Sequence, residues 1–253
     1  MIAEIHHLGR RFRVDLSAPL DLSMPLHDGA DQVRAWWADP VRMEPALWQG
    51  RPCTVREGAS TNFRNIFFNP HGHGTHTESV GHIAPEILAV GPMLRRYFFT
   101  AEVVSLRPEQ RPAADGKVDG VLTLEHLEER LGDRTPEALI VRTLPNDPLK
   151  RQRDWSGTNA PYLQAEAAAW LRERGVLHLL LDLPSVDRED DGGALAAHHA
   201  YWGFPTAIDR ERTISELLFV PDDVADGSYL LELQFPNFGN DAAPSRPVLY
   251  ALM

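Results

Sequence analysis

The sequence predicts an α/β fold, and three successive segments near its middle support that prediction. Residues 138–144 form an apolar run with the length and composition of a buried strand. Residues 160–174 carry apolar side chains at the i, i+4, i+7 and i+8 spacing of one helix face, and Gly175 follows as a natural stop. Residues 176–183 return to an apolar run. A strand, a helix and a second strand in succession form a βαβ unit, which is typical of α/β proteins.

Segments on either side predict further strands, one short helix and connecting loops. A helix is expected over residues 123–131, because Thr123 can cap its first turn and Gly132 stands just past its end. The polar stretch 107–118 contains Pro and Gly and predicts a short loop. Strands are predicted for the remaining apolar segments, the last two of which fit a helix equally well: residues 12–16, 65–68, 98–106, 214–220 and 229–235.

Composition limits the classes of function. With 253 residues, 43% of them hydrophobic, the chain can bury one large core, and we expect a single domain spanning residues 1–253. The formal net charge of -11, with no basic stretch, argues against nucleic acid or a membrane surface as a partner. The single cysteine, Cys53, excludes an internal disulfide and a cysteine-rich zinc site. No segment has the apolar length of a signal peptide or a membrane span, so we expect a cytoplasmic protein.

Histidines are concentrated in residues 71–82, which read His-Gly-His-Gly-Thr-His-Thr-Glu-Ser-Val-Gly-His. Imidazole is a common ligand for zinc, manganese and iron, and carboxylates complete such sites. His76 and Glu78 are two residues apart, so in an extended backbone they point to the same face and can reach one ion. The pattern favours a metal site, and a histidine-rich surface loop is the alternative that spacing alone leaves open.

This segment resembles the H-x-G-T-H-x-D-x-P-x-H signature of the cyclase-like metal-dependent hydrolases, a superfamily that includes bacterial kynurenine formamidase and isatin hydrolase. The matching part is Gly74-Thr75-His76-Thr77-Glu78, followed by His82. Other parts of the chain resemble further motifs of the superfamily in the same order, which makes the resemblance far more specific than one short pattern. They are Asp15-Leu16-Ser17 with Pro19-Leu20, residues 182–187 (Asp-Leu-Pro-Ser-Val-Asp), Ala197-His198, residues 214–217 and residues 227–248.

The resemblance implies a swivelling β/β/α-type domain, with a flattened mixed β-barrel surrounded by helices. It also implies a homodimer or homotetramer, in which a neighbouring subunit places residues near the pocket. A small molecule would be the substrate, and aromatic pairs in the chain, Trp36-Trp37 and Tyr201-Trp202, could line a pocket for an aromatic one.

The resemblance further implies a site for one or two divalent ions, zinc or manganese. His76 would bind the first ion, Glu78 would bridge two ions, and His198 with Glu216 would hold the second. A water activated by the metal would be the nucleophile. His82 would act as general base and then as general acid toward the leaving nitrogen.

The motif departs from the superfamily pattern at its first histidine, because Gly72 occupies the aligned position. We assign the role to His71, since a Pro70-His71-Gly72 entry resembles a subgroup with an HGHGTHTE-type motif; His73 is the alternative. Glu78 replaces an aspartate, and its extra methylene moves the carboxylate outward. Val80 replaces a proline.

The second half of the motif set also differs, because His198 and Glu216 are further apart than in the formamidases. The inserted residues include Gly203-Phe204-Pro205 and are expected to reshape the substrate pocket, and His199 is the fallback ligand. The function predicted is hydrolysis of an amide, N-formyl or lactam bond, in the manner of an arylformamidase. A cyclase or dehydratase acting on a carbonyl substrate is one alternative, and a non-catalytic metal-binding protein of the same fold is the other.

Overall fold

A mixed β-sheet with helices packed against it is the main feature of the computed structural model, which describes residues 1–29 and 31–253. Its α-helices are α1 (Leu124–Leu131), α2 (Ala165–Glu173) and α3 (Ala196–Trp202). No helix in these two ranges combines the length and apolarity needed to cross a bilayer. The strands, numbered along the chain, are β1 (Ile2–His7), β2 (Arg10–Asp15), β3 (Leu20–Asp21), β4 (Arg42–Pro45), β5 (Leu47–Trp48), β6 (Arg51–Pro52), β7 (Arg64–Phe67), β8 (His76–Glu78), β9 (Phe98–Leu106), β10 (Glu109–Pro112), β11 (Val118–Leu122), β12 (Ala138–Thr143), β13 (Tyr162–Leu163), β14 (His178–Leu181), β15 (Thr213–Glu216), β16 (Gly227–Glu232), β17 (Ala242–Pro244) and β18 (Val248–Ala251).

The largest sheet has nine strands in the order β17-β8-β15-β14-β12-β9-β16-β18-β3. Its central strands β9, β12, β14 and β15 are parallel, whereas the strands on both sides pair antiparallel. The sheet curls into a half-barrel, which confirms the predicted α/β class with a mixed, barrel-like sheet. The predicted βαβ unit is also present, because β12 leads through α2 to β14 and these strands pair in parallel.

The central strands are buried on both faces. In β12, Leu139 and Val141 belong to one core with the helices, whereas Ala138 and Ile140 belong to a second core on the opposite face. Alternate side chains of a strand point to opposite faces. Burial of both faces therefore explains why this strand shows a continuous apolar run in the sequence.

Two predictions of local structure are wrong, and in both cases pairing with β11 is the reason. Helix α2 begins at Ala165 rather than at residue 160, because Leu163 is extended, pairs with β11 and donates a backbone hydrogen bond to Val186 over 2.8 Å. The predicted loop 107–118 contains β10, which forms a hairpin with β11. The strand over residues 98–106 and the helix capped by Thr123 are confirmed.

Residues 42–67 form an arm outside the main sheet, built from the strand pairs β4–β7 and β5–β6. Several of its apolar side chains are exposed, including Trp48 (72%), Phe63 (65%) and Ile66 (53%). A two-stranded sheet is only marginally stable by itself, and large exposed apolar patches commonly mark interaction surfaces. The arm ends shortly before the histidine-rich segment.

Candidate metal centre and active site

Pairing near one edge of the main sheet brings His76, Glu78 and Glu216 together. His76 and Glu78 lie on β8, are fully buried, and point to the same face because they are two residues apart. The antiparallel register of β8 and β15 places Glu216 directly opposite His76. Nε2 of His76 lies 3.3 Å from Oε2 of Glu216. Strands β8 and β15, which are far apart in the chain, thus form the buried side of the site.

A tight turn over residues 69–73 decides which of the neighbouring histidines enters the site. The Asn69 side chain accepts hydrogen bonds from the backbone N–H groups of His71 and Gly72, at 2.9 and 3.1 Å. Gly72 packs so closely that a Cβ there would lie 2.8 Å from the Cβ of Ala38. Position 72, where the superfamily has its first histidine, therefore has no room for a side chain.

The same turn directs His71 into the site and His73 away from it. Nδ1 of His71 lies 3.0 Å from Oε2 of Glu78. Both ring nitrogens of His73 are occupied elsewhere: Nδ1 accepts from the Asn69 N–H at 2.9 Å, and Nε2 donates to the Asp39 carbonyl at 2.8 Å. The geometry therefore favours His71 over His73.

Glu78 lies at the centre of the cluster. Its Oε1 is 3.1 Å from Nε2 of His198, and its Oε2 faces His71 and lies 3.8 Å from Nδ1 of His82. The longer side chain that replaces the superfamily's aspartate thus reaches two histidines of the histidine-rich segment and one on α3. His198 lies at the start of α3, whereas His199 turns aside, with its ring 5.3 Å from that of Phe204.

His82 lies on the open side of the cluster and contacts an aspartate that the sequence analysis did not select. It ends a short 3₁₀ turn, Val80–His82, which Ser79 caps, and its side chain is 31% exposed. Asp241 places Oδ2 at 2.8 Å from Nε2 of His71 and at 3.5 Å from Nδ1 of His82. The sequence signal for Asp241 was its place in the motif that closes the resemblance, immediately before β17, which pairs with β8.

The charges of the site are strongly coupled. Burial opposes ionisation of Glu78, but His82, His198 and His71 together hold its pKa well below the ordinary range. Burial also opposes protonation of His71 and His198. For His71 the hydrogen bond to Asp241 and the Glu78 carboxylate outweigh burial and raise its pKa to about 10. Asp187 and Glu78 likewise raise the pKa of His198 to about 10.

The donor atoms fit a divalent ion. Within residues 1–29 and 31–253, the buried Nε2 of His76 has no hydrogen-bond partner, and such an atom is costly to bury. Ligand atoms of His71, His76 and Glu78 all lie within 4.8 Å of one another, and the same holds for Glu78, His82 and His198. Imidazole nitrogens combined with carboxylate oxygens suit zinc or manganese.

Comparison with known proteins agrees with this geometry. The model of the Cyclase family, described as "Putative cyclase", matches residues 14–188. The chain belongs to this family. Kynurenine formamidase from Bordetella petrii is 28% identical over 242 residues, which cover 94% of this chain and 97% of that protein. The enzyme of the same name from Bacillus anthracis is 27% identical over 232 residues, 91% of this chain and 96% of that protein.

A solved structure shows the same fold. Isatin hydrolase A from Labrenzia aggregata has a TM-score of 0.63, with 17% identity over 93% of this chain and 94% of that chain. The predicted superfamily is confirmed, and so is the prediction that this cyclase-family chain is a metal-dependent hydrolase.

Among the residues selected from the sequence of this cyclase-family chain, the structure brings His82 and all of the assigned ligands into one cluster: His71, His76, Glu78, His198 and Glu216. Their individual roles stay predictions. The expectation that Tyr201 and Trp202 line a substrate pocket is wrong, because both are fully buried in the core. Trp36 and Trp37 are exposed, by 36% and 72%.

Proposed function

We propose that this chain hydrolyses an amide, N-formyl or lactam bond of a small molecule, in the manner of an arylformamidase. The observation that supports it best is the convergence of buried imidazole and carboxylate donors around Glu78, with His82 on their exposed side. The two kynurenine formamidases, related to this chain over more than nine-tenths of its length, support the same bond class. The exposed pair Trp36-Trp37, expected from the sequence to line a pocket, would suit contact with an aromatic substrate.

The site would hold one or two ions, zinc or manganese. His71, His76 and Glu78 would bind one ion, and Glu78 would share the second with His198 and Glu216. When bound, the metal would polarise the scissile carbonyl and lower the pKa of a water molecule. The chain's own contribution is to fix these donors in a buried cluster, so that little reorganisation is needed during the reaction.

His82 is suited to move the proton. With Asp241 beside Nδ1, the ring can hold a proton there and present Nε2 to the attacking water. Nε2 takes a proton as the water oxygen bonds to the carbonyl carbon. The same nitrogen then returns the proton to the leaving nitrogen as the C–N bond breaks, so that one group serves as base and acid.

Metal depletion combined with a variant of His82 tests the proposal. Removing metal with a chelator should abolish turnover of N-formylkynurenine, isatin or related amides, and zinc or manganese should restore it. His82→Ala should lower kcat by about 10²–10⁴-fold without loss of bound metal. His6→Ala, which changes a histidine that is 72% exposed, is the matched control. Unchanged turnover after either treatment across a broad amide panel would contradict the mechanism.

The family description favours one second candidate, a cyclase or dehydratase acting on a carbonyl substrate. Both reactions could use the same metal and His82. Product analysis in ¹⁸O-labelled water distinguishes them, because hydrolysis places solvent oxygen in the acid product whereas dehydration removes oxygen from the substrate.

We also propose that the chain forms a homodimer or homotetramer. The exposed apolar residues of the arm, Trp48, Phe63 and Ile66, support this proposal, because their burial against another copy would stabilise an assembly. The cytoplasmic location expected from the sequence stays a prediction.

A further inference from the structure

Asp187 is a buried carboxylate that follows β14 and contacts the first residues of α3. It is 6% exposed. Its Oδ1 accepts the backbone N–H of Ala197 at 2.7 Å, and its Oδ2 accepts the backbone N–H of His198 at 3.1 Å. The residue before α3, Leu195, makes no capping hydrogen bond with its side chain. Asp187 therefore holds the start of this helix from the loop that precedes it.

The same carboxylate also contacts the His198 ring, where Oδ2 lies 2.6 Å from Nδ1. An ionised carboxylate can only accept hydrogen bonds, so Nδ1 must carry the proton of this pair. The other ring nitrogen, Nε2, then points at Glu78, whose Oε1 is 3.1 Å away. One aspartate thus fixes both the position of the backbone at His198 and the nitrogen that faces the cluster.

Val186, the residue before Asp187, orients Glu216, which would bind the same ion as His198. The backbone N–H of Val186 donates to Oε1 of Glu216 at 3.0 Å, which leaves Oε2 facing His76. Two consecutive residues of one loop therefore orient a histidine on α3 and a glutamate on β15. The donors His71 and His76 belong to other segments and are not held by this loop.

We propose that Asp187 is a positioning residue that sets the tautomer and orientation of His198, and thereby controls the affinity for the ion that His198 and Glu216 would share. This inference rests on the metal site of the proposed function, but not on the reaction. A carboxylate behind a ligating imidazole orients the ring and raises its basicity, and removing such a partner typically weakens metal binding by about 10–100-fold.

Asp187→Asn is the informative substitution because it keeps the size of the side chain. If the amide NH₂ of asparagine faced His198, two donors would meet at the Nδ1 proton. If it faced Ala197 instead, two donors would meet at the backbone N–H. We expect Zn²⁺ titration of the chelated and dialysed protein to show a loss of about 10–100-fold in affinity for one ion, with the other unchanged. Co²⁺ absorption spectra should show fewer ligands at the weakened site.

Asp191→Asn is the matched control. Asp191 accepts the backbone N–H groups of Gly193, Ala194 and Leu195 in the loop before α3. The control should bind Zn²⁺ like the wild-type protein. If Asp187→Asn, with a normal melting temperature, also binds Zn²⁺ like the wild-type protein, the inference is overturned.

A second measurement covers the case in which Asp187→Asn does not fold. In ¹⁵N-histidine NMR spectra of the zinc-loaded wild-type protein, we expect the Nδ1 of His198 to be protonated and Nε2 to bind the ion. An unprotonated Nδ1 would overturn the inference. Neither readout uses turnover, so a protein that hydrolyses no amide can still confirm the role of Asp187. Conversely, if the wild-type protein hydrolyses amides and Asp187→Asn binds Zn²⁺ normally, the inference fails and the proposed function stands.

Discussion

Binding of a divalent ion should release protons, and the affinity for the ion should depend steeply on pH. A histidine must be neutral to bind a metal. His71 and His198 have pKa values raised to about 10 by their carboxylate partners. A solution at about pH 7 is about 3 pH units below each of these pKa values, so deprotonation of each histidine costs about 4 kcal/mol. The affinity for each ion should therefore rise about tenfold per pH unit.

A chromophoric chelator competing for Zn²⁺ between about pH 6 and 8 measures this slope. Calorimetry in buffers with different ionisation enthalpies counts the protons, and we expect about two when both histidines bind. Asp241→Asn removes a partner that raises the pKa of His71, and should flatten the slope for one ion. An affinity independent of pH, with no proton release, would refute the reasoning.

Three further predictions concern stability and assembly. Burial lowers the pKa of His178 from 6.5 to about 3. The contribution of His178 to the free energy of unfolding is therefore present above about pH 6.5 and is lost as the pH falls toward about 3. Between about pH 6.5 and 5, the free energy of unfolding measured in urea should fall by about 2 kcal/mol more for the wild-type protein than for His178→Leu. Gly72→Ala should lower the free energy of unfolding by about 1–3 kcal/mol, because its Cβ would meet Ala38, whereas Gly239→Ala, with open space around it, should not. Trp48→Ser in the arm should reduce the mass measured by light scattering to that of a smaller species. Leu149→Ser, which changes a residue outside the arm that is 56% exposed, should leave the mass unchanged. Equal masses for the two variants would count against the arm as an interface.

The parts of the fold that the sequence predicts well are those set by local physics. Strand β9 and the Thr123-capped helix agree with the prediction because an apolar run, a capping residue and a terminal glycine are each encoded within a few residues. Leu163 was predicted as helix because its own neighbours favour one. Its extended conformation depends on pairing with β11, which local patterns do not contain.

For the site, the sequence could predict ligand types but not how they are positioned. The choice between His71 and His73 depends on the Asn69 turn and on the packing of Gly72 against Ala38. Asp241 contacts His71 from 170 residues away in the chain, so no spacing rule could connect them. Tyr201 and Trp202 belong to the core because α3 packs against α2, although amphipathic rings also suit a pocket.

The location of β8 has a consequence for the order of events in the cell. This strand lies between β15 and β17, both of which come much later in the chain. The ribosome releases the histidine-rich segment long before the strands that flank it, and Asp241 among the last parts of the site. A complete donor set thus arises only after the chain has been synthesised past Asp241 and the sheet has closed. We therefore expect the proposed metal to bind the complete donor set late in folding, so that bound metal would report closure of the sheet.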